Sequence, residues 1–217
     1  MSQVFHRSMN SVAKISIVGG ALLAATLLLT LDLAIRSPLV TNQEVAQPQP
    51  VQFSHKHHYS GLGIHCLYCH TSVEDSSFAN VPPTATCMNC HSQVWYTAPI
   101  LQPVRTSFKE NQALEWNRVH NLADFAYFNH SIHVNKGIGC VSCHGRIDQM
   151  QLAYKAQPMT MEWCISCHKN PEPNLRPRDQ IYNFEYKRTD ASEGPKLMKE
   201  YKIRSARMLT SCSTCHR

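Results

Sequence analysis

Phe128-Asn-His130-Ser-Ile-His133-Val-Asn-Lys-Gly-Ile-Gly-Cys140-Val-Ser-Cys143-His144 is the stretch from which the rest of the chain can be read. It ends on Cys-x-x-Cys-His. The same word recurs at Cys66–His70, Cys87–His91, Cys164–His168 and Cys212–His216, and these five words use all ten cysteines. Cys-x-x-Cys alone is shared by zinc ribbons and redox dithiols. A disulfide scaffold is the usual reading of a cysteine-rich chain. Neither explains a histidine after every second cysteine, whereas covalent attachment of c-type haem does. On one helical turn the two thiols at i and i+3 share a face and can each form a thioether. The adjacent histidine then reaches the iron from the same turn. The cysteines Cys66, Cys69, Cys87, Cys90, Cys140, Cys143, Cys164, Cys167, Cys212 and Cys215 are the expected attachment points of five covalently bound haem c groups. The expected proximal ligands are His70, His91, His144, His168 and His216.

The beginning of the quoted stretch has a partner upstream. Phe53-Ser-His55-Lys-His-His58 precedes Cys66–His70 as Phe128-Asn-His130-Ser-Ile-His133 precedes Cys140–His144. Each copy runs through a proline and a threonine into a second word, so residues 53–91 and 128–168 read as two dihaem units. Histidines three apart lie on one helix face. One iron cannot take both opposite its proximal ligand, so the pair would serve two neighbouring haems. His55, His58, His130 and His133 are therefore expected as sixth ligands of four haems. Of the other histidines, His6 precedes the apolar run, His57 neighbours His58, and His65 abuts Cys66. His120 is the simplest fifth choice, with Met150, Met159, Met161 and Met208 as rivals.

The 217 residues carry a formal charge of +6. Five ferric haems, each about −1 with both propionates ionised, would bring the total near neutrality. Many Lys and Arg are thus read as propionate partners, and nucleic acid is not an expected ligand. Aliphatic periodicity between the words is too sparse for a large protein-only core, so the haems are expected to supply apolar mass.

Residues 15–35, ISIVGGALLAATLLLTLDLAI, form an apolar run broken by Asp32. As a helix it measures about 30 Å, the hydrocarbon thickness of a bilayer. Arg7 and Lys14 place the N-terminal side, residues 1–14, in the cytoplasm. A cleaved signal peptide is the competing reading, but a signal core is usually shorter. Residues 36–52 read as a Pro/Gln-rich linker. Residues 53–217 form the expected pentahaem domain, with 195–217 as the fifth-haem segment. Helical character is expected from Glu110 to Asn121 and from Pro195 into the fifth word, with residues 171–195 in loop. The expected fold is mainly α with much irregular coil and little or no sheet: one N-terminal transmembrane helix and a haem-cored domain.

The doubled Phe-x-His-x-x-His phrase with the word after it resembles class III multihaem cytochromes, the cytochrome c3 and c7 group. The wider stretch from Trp116-Asn-Arg-Val-His120 through Phe128-Asn-His130 and Gly139-Cys140 to Met161-Glu-Trp-Cys164 is similar to the membrane-anchored pentahaem subunit of alternative complex III. That resemblance implies a bacterial quinol oxidoreductase. Its implied partners are iron–sulfur, integral-membrane quinol-binding and monohaem cytochrome subunits. It also implies a periplasmic haem domain on the cytoplasmic membrane. Bis-histidine iron has no open position, so electron transfer is the first functional reading. A multihaem reductase with one open iron and a stand-alone membrane quinol dehydrogenase are the alternatives.

Overall fold

The computed structural model describes residues 4–216; Met1 to Gln3 of the expected cytoplasmic segment and Arg217 lie outside the described residues. The chain divides into two units between Gln43 and Glu44.

The first unit is dominated by α1, Met9–Arg36, a helix of 28 residues. It extends beyond the apolar run at its N-terminal end, because Asn10, Ser11 and Lys14 are tolerated where nothing has to pack. None of its residues is buried. At 1.5 Å per residue it measures about 42 Å, more than the hydrocarbon thickness of a bilayer. It is long and apolar enough to cross a membrane. Asp32 accepts from Arg36 Nε at 3.0 Å, so its one acidic residue is paired one turn on. The short helix α2, Pro38–Thr41, follows and ends on Asn42 in the left-handed region.

The second unit is a series of short helices joined by turns, with no strand among the described residues. Two isolated antiparallel bridges, Ala46 with Tyr154 and Ile138 with Leu175, take the place of a sheet. The helices are α3 (Cys66–Cys69), α4 (Thr84–His91), α5 (Gln102–Glu110), α6 (His130–Asn135), α7 (Cys140–His144), α8 (Met161–Lys169), α9 (Glu193–Glu200), α10 (Ala206–Leu209) and α11 (Cys212–Cys215). A π-helical turn covers Lys56–Gly61.

Residues 45–52 carry no helix and pack into the second unit, of which they are part. Asn117 N–H donates to Gln49 Oε1 at 3.0 Å, Gln49 Nε2 donates to the Asn117 carbonyl at 2.8 Å, and Val51 is buried. The helix expected over 110–121 sits earlier. Pro103 falls in the first turn of α5, where its missing N–H costs nothing, and Asn111 ends the helix at φ 53°. Residues beyond it are irregular, with Leu114 and Trp116 packed on a small core. The helix expected from Pro195 into the fifth word breaks after Glu200. Tyr201 is drawn into the core beside Leu175 and Leu197, and Lys202 turns through φ 50°.

Three small apolar clusters hold the unit together. One gathers Val51, Met88, Leu101 and Val104; the second Val73, Val134 and Ile181; the third Leu175, Leu197 and Tyr201. Arg188 ties the third to its surroundings, donating to Glu172 Oε1 at 2.6 Å and to the Leu175 carbonyl at 2.7 Å. Arg146 is likewise held by a carboxylate of the chain, donating to Asp148 Oδ2 at 2.8 Å.

Candidate haem centres

Every Cys-x-x-Cys pair lies on one helical turn: in α3, α4, α7, α8 and α11. The residue before each of these helices is extended, at His65, Pro83, Gly139, Thr160 and Ser211. These junctions start each helix where the thiols need it. Burial pushes the Cys140 and Cys143 thiols up to about 12, as expected of sulfurs enclosed in the interior of the unit.

Seven histidines share one arrangement, whereas His55 Nδ1 is buried with no hydrogen-bond partner. His58 Nδ1 donates to the Ser54 carbonyl at 2.8 Å, His70 to Asn80 at 2.7 Å, and His91 to Val94 at 3.1 Å. His130 donates to Ser77 at 2.9 Å, His133 to Asn129 at 2.7 Å, His168 to Leu209 at 2.9 Å, and His216 to Phe125 at 3.0 Å. A carbonyl only accepts, so each bond puts the ring proton on Nδ1 and leaves Nε2 as a lone-pair donor. An outer hydrogen bond of this kind fixes the tautomer and orientation of a ligating histidine.

The two Phe-x-His-x-x-His copies share the geometry of their aromatic rings. Phe53 stands edge-on to His55 at 5.0 Å and 86°, and lies over His58 at 4.3 Å and 24°. Phe128 does the same to His130 at 4.7 Å and 87°, and to His133 at 4.5 Å and 22°. The residue after each phenylalanine has a double role. Ser54 accepts the His57 N–H on its hydroxyl at 3.1 Å and His58 Nδ1 on its carbonyl. Asn129 accepts the Ile132 N–H on Oδ1 at 3.3 Å and His133 Nδ1 on its carbonyl. This capping role is absent from the sequence reading. Its signal was available: both positions hold residues favoured at helix N-caps.

Two imidazoles on opposite sides of one iron, each with a metal–nitrogen bond of about 2 Å, place their ring centroids roughly 6 Å apart. His58 and His91 are 6.2 Å apart, His133 and His168 6.2 Å, and His130 and His144 6.4 Å. The spacing fits haem ligation at three words. His55 and His70 of the first word are close enough to influence each other's charge.

His120, the fifth candidate for a sixth ligand, lies beside the third word. Its ring is 4.2 Å from that of His144, and its buried Nε2 has no hydrogen-bond partner. Burial, reinforced for His120 by Lys155 and for His55 by His70, lowers both rings to about 4. Burial drives His144 well below the usual value. At neutral pH these rings are uncharged, the form that binds a metal. The remaining histidines of the unit are engaged otherwise. His65 Nδ1 caps the Leu67 N–H at 3.3 Å, and the His57 ring lies 5.9 Å from Trp95. Among the methionine rivals, Met150 is buried in the protein, whereas Met161 and Met208 are exposed.

Residues 126–217 match the family described as cytochrome c7 and related cytochrome c. The chain is also 32% identical over 143 residues to the menaquinone reductase multiheme cytochrome c subunit of Nitratidesulfovibrio vulgaris. That alignment covers 56% of this chain and 68% of the relative.

Proposed function

Because the chain belongs to the multihaem cytochromes c related to cytochrome c7, and so carries covalently bound haem c, we propose that it is an electron-transfer subunit of a membrane quinone-linked oxidoreductase. In this reading five haems are held by the ten cysteines of the Cys-x-x-Cys-His words. Haem c supplies a one-electron ferric/ferrous couple. The chain's residues hold the irons at fixed spacing, close the coordination positions and tune each potential through ligand, burial and nearby charge.

The observation that carries the reading is the set of three histidine pairs at 6.2–6.4 Å, each joining an upstream phrase to a word. His58 pairs with His91, His130 with His144, and His133 with His168; His55 is assigned to His70 on proximity. An iron with two imidazoles has no room for a substrate, which favours conduction over catalysis. The i, i+3 histidines bind each dihaem unit into a pair, because one turn of chain serves two irons.

The long apolar helix supports a single-span anchor, with the N-terminal side cytoplasmic and the haem domain periplasmic. On the alternative complex III resemblance, electrons enter from quinol through an integral-membrane partner and leave to a periplasmic acceptor. The relative's name supports a second reading in which the flow is reversed and menaquinone is reduced.

The test is the complex solubilised intact from the membrane. The pyridine haemochrome assay is expected to give five haems per chain, and a quinol analogue is expected to reduce them. A smaller haem count would overturn the pentahaem assignment. Oxidation of the reduced haems by a quinone, with no reduction by quinol, would reverse the direction. Quinol oxidation by the purified chain alone would replace the subunit reading.

A further inference from the structure

The candidate ligands are unevenly distributed among the words. Around the first and third words five imidazoles lie within electrostatic reach: His55, His70, His120, His130 and His144. Two irons take four. His130 already stands at the opposite-side spacing from His144, while His120, at 4.2 Å from His144, is too close to occupy that side of the same iron. His120 is therefore the surplus ring of this cluster.

The fifth word has the matching deficit. The ring facing His216 is Phe125, at 5.9 Å and 33°. The other histidines of the unit are placed elsewhere: His58 opposite His91, His133 opposite His168, His57 on Trp95 and His65 against Tyr182 at 4.9 Å. The methionines differ sharply in cover. Met88 and Met150 are buried in the protein and Met159 is half-buried, but Met161 and Met208 are 67% and 55% exposed. Met208 precedes the fifth word directly, and Met161 lies on α8, the helix of the fourth word, which is linked to the fifth. Met161 lies one turn before Cys164 on the same face of α8, and the Cys164 thiol is close enough to Cys215 to feel its charge. Met208 is on α10, which packs on α8, and its carbonyl accepts from Thr214 Oγ1 at 2.9 Å.

We infer that the iron held by His216 takes a methionine thioether, from Met161 or Met208, as its sixth ligand. His120 instead stays beside His144 as a non-ligating neighbour. The inference rests on the pentahaem reading above and adds an asymmetry to it. A thioether opposite histidine raises the potential above that of the bis-histidine irons. The C-terminal word would then be the most oxidising point of the chain, the natural exit towards an acceptor or entry from a high-potential partner.

The test uses the intact complex with its full haem complement. Ferric near-infrared magnetic circular dichroism is expected to show one methionine-ligated haem per chain beside bis-histidine haems. Met161→Leu and Met208→Leu are compared: the variant that removes the ligand should lose that signal and the highest potential in the redox titration. Its haem count should not change, and the other variant should keep both. His120→Ala should retain the thioether signal. Five bis-histidine haems in the unsubstituted complex would overturn the inference without any variant, and so would conversion of the fifth haem in His120→Ala. The haem count separates the two levels. Fewer than five haems defeats the function proposed above, whereas five haems with no thioether signal defeats only this assignment.

Discussion

Phe128 lies over His133, with ring centroids 4.5 Å apart and 22° between planes, and Phe53 holds His58 in the same way at 4.3 Å and 24°. The phenylalanine thus limits rotation about the axis along which the imidazole would bind iron. Such ring pairs contribute about 0.5–1.5 kcal/mol beyond the area they bury. Phe128→Leu is expected to lower stability by about that amount and to loosen the His133 plane. In electron paramagnetic resonance the low-spin signal of one haem should broaden or shift while the haem count stays constant. An unchanged spectrum would remove the positioning role.

His58→Ala tests the pairing of the first copy. His91 and its two cysteines are untouched, so haem attachment at the second word should survive. Only that iron should lose its imidazole, seen as one high-spin ferric haem and one haem that binds carbon monoxide on reduction. His133→Ala should do the same at the fourth word. If His58→Ala instead altered the first word, the partners of His55 and His58 would have to be exchanged.

The cofactor was legible in the sequence because covalent attachment demands fixed spacing, and spacing is what a sequence preserves. The long apolar helix was legible for a similar reason: a run of apolar residues is a property of composition. The helix from Glu110 was misplaced because Leu114 and Trp116 answer to a tertiary cluster and not to a helical face; Asn111 ends the real helix. The break after Glu200 was hidden because Tyr201 is buried by residues far along the chain, Leu175 among them. The carbonyls that hold the histidines, such as Asn80 for His70 and Leu209 for His168, carry no side-chain signature at all. Neither does the 4.2 Å separation of the His120 and His144 rings.

Gly137 controls the turn between the second phrase and its word. Its φ is +81°, and a Cβ there would come 2.5 Å from the Tyr201 ring and 2.8 Å from the Arg176 carbonyl. Backbone at positive φ costs a non-glycine residue on the order of 1–3 kcal/mol, and the clash adds to it. Gly137→Ala is expected to lower the melting temperature by several degrees. Because Lys136 Nζ also donates to the Tyr201 carbonyl at 2.6 Å, the loosened segment would be the junction between α6 and α9. Thermal melting of the holoprotein with parallel haem determination checks this; an unchanged melting temperature would contradict it.

Asp148 makes the acid limit of the fold testable. Its side chain is 4% exposed, and Arg146 Nη2 and Nε donate to it at 2.8 and 2.9 Å. Burial pushes the carboxyl up, but the Arg146 and Gln149 hydrogen bonds outweigh it, and the net shift is below the ordinary value of 3.8. The folded state therefore binds this proton less readily than the unfolded chain. The associated stability is complete above the ordinary value and is lost as pH falls through the lowered one. Charge-assisted hydrogen bonds of this kind contribute about 1.5–3 kcal/mol. Asp148→Asn should cost on that order at neutral pH. The cost should shrink as pH falls below about 4, where the unfolded chain's carboxylate takes up its proton before the folded one does. Denaturant midpoints at pH 7 and at pH 3 decide it. A difference between the two proteins that stays constant across that range would show that packing, and not the charge on Asp148, holds this corner.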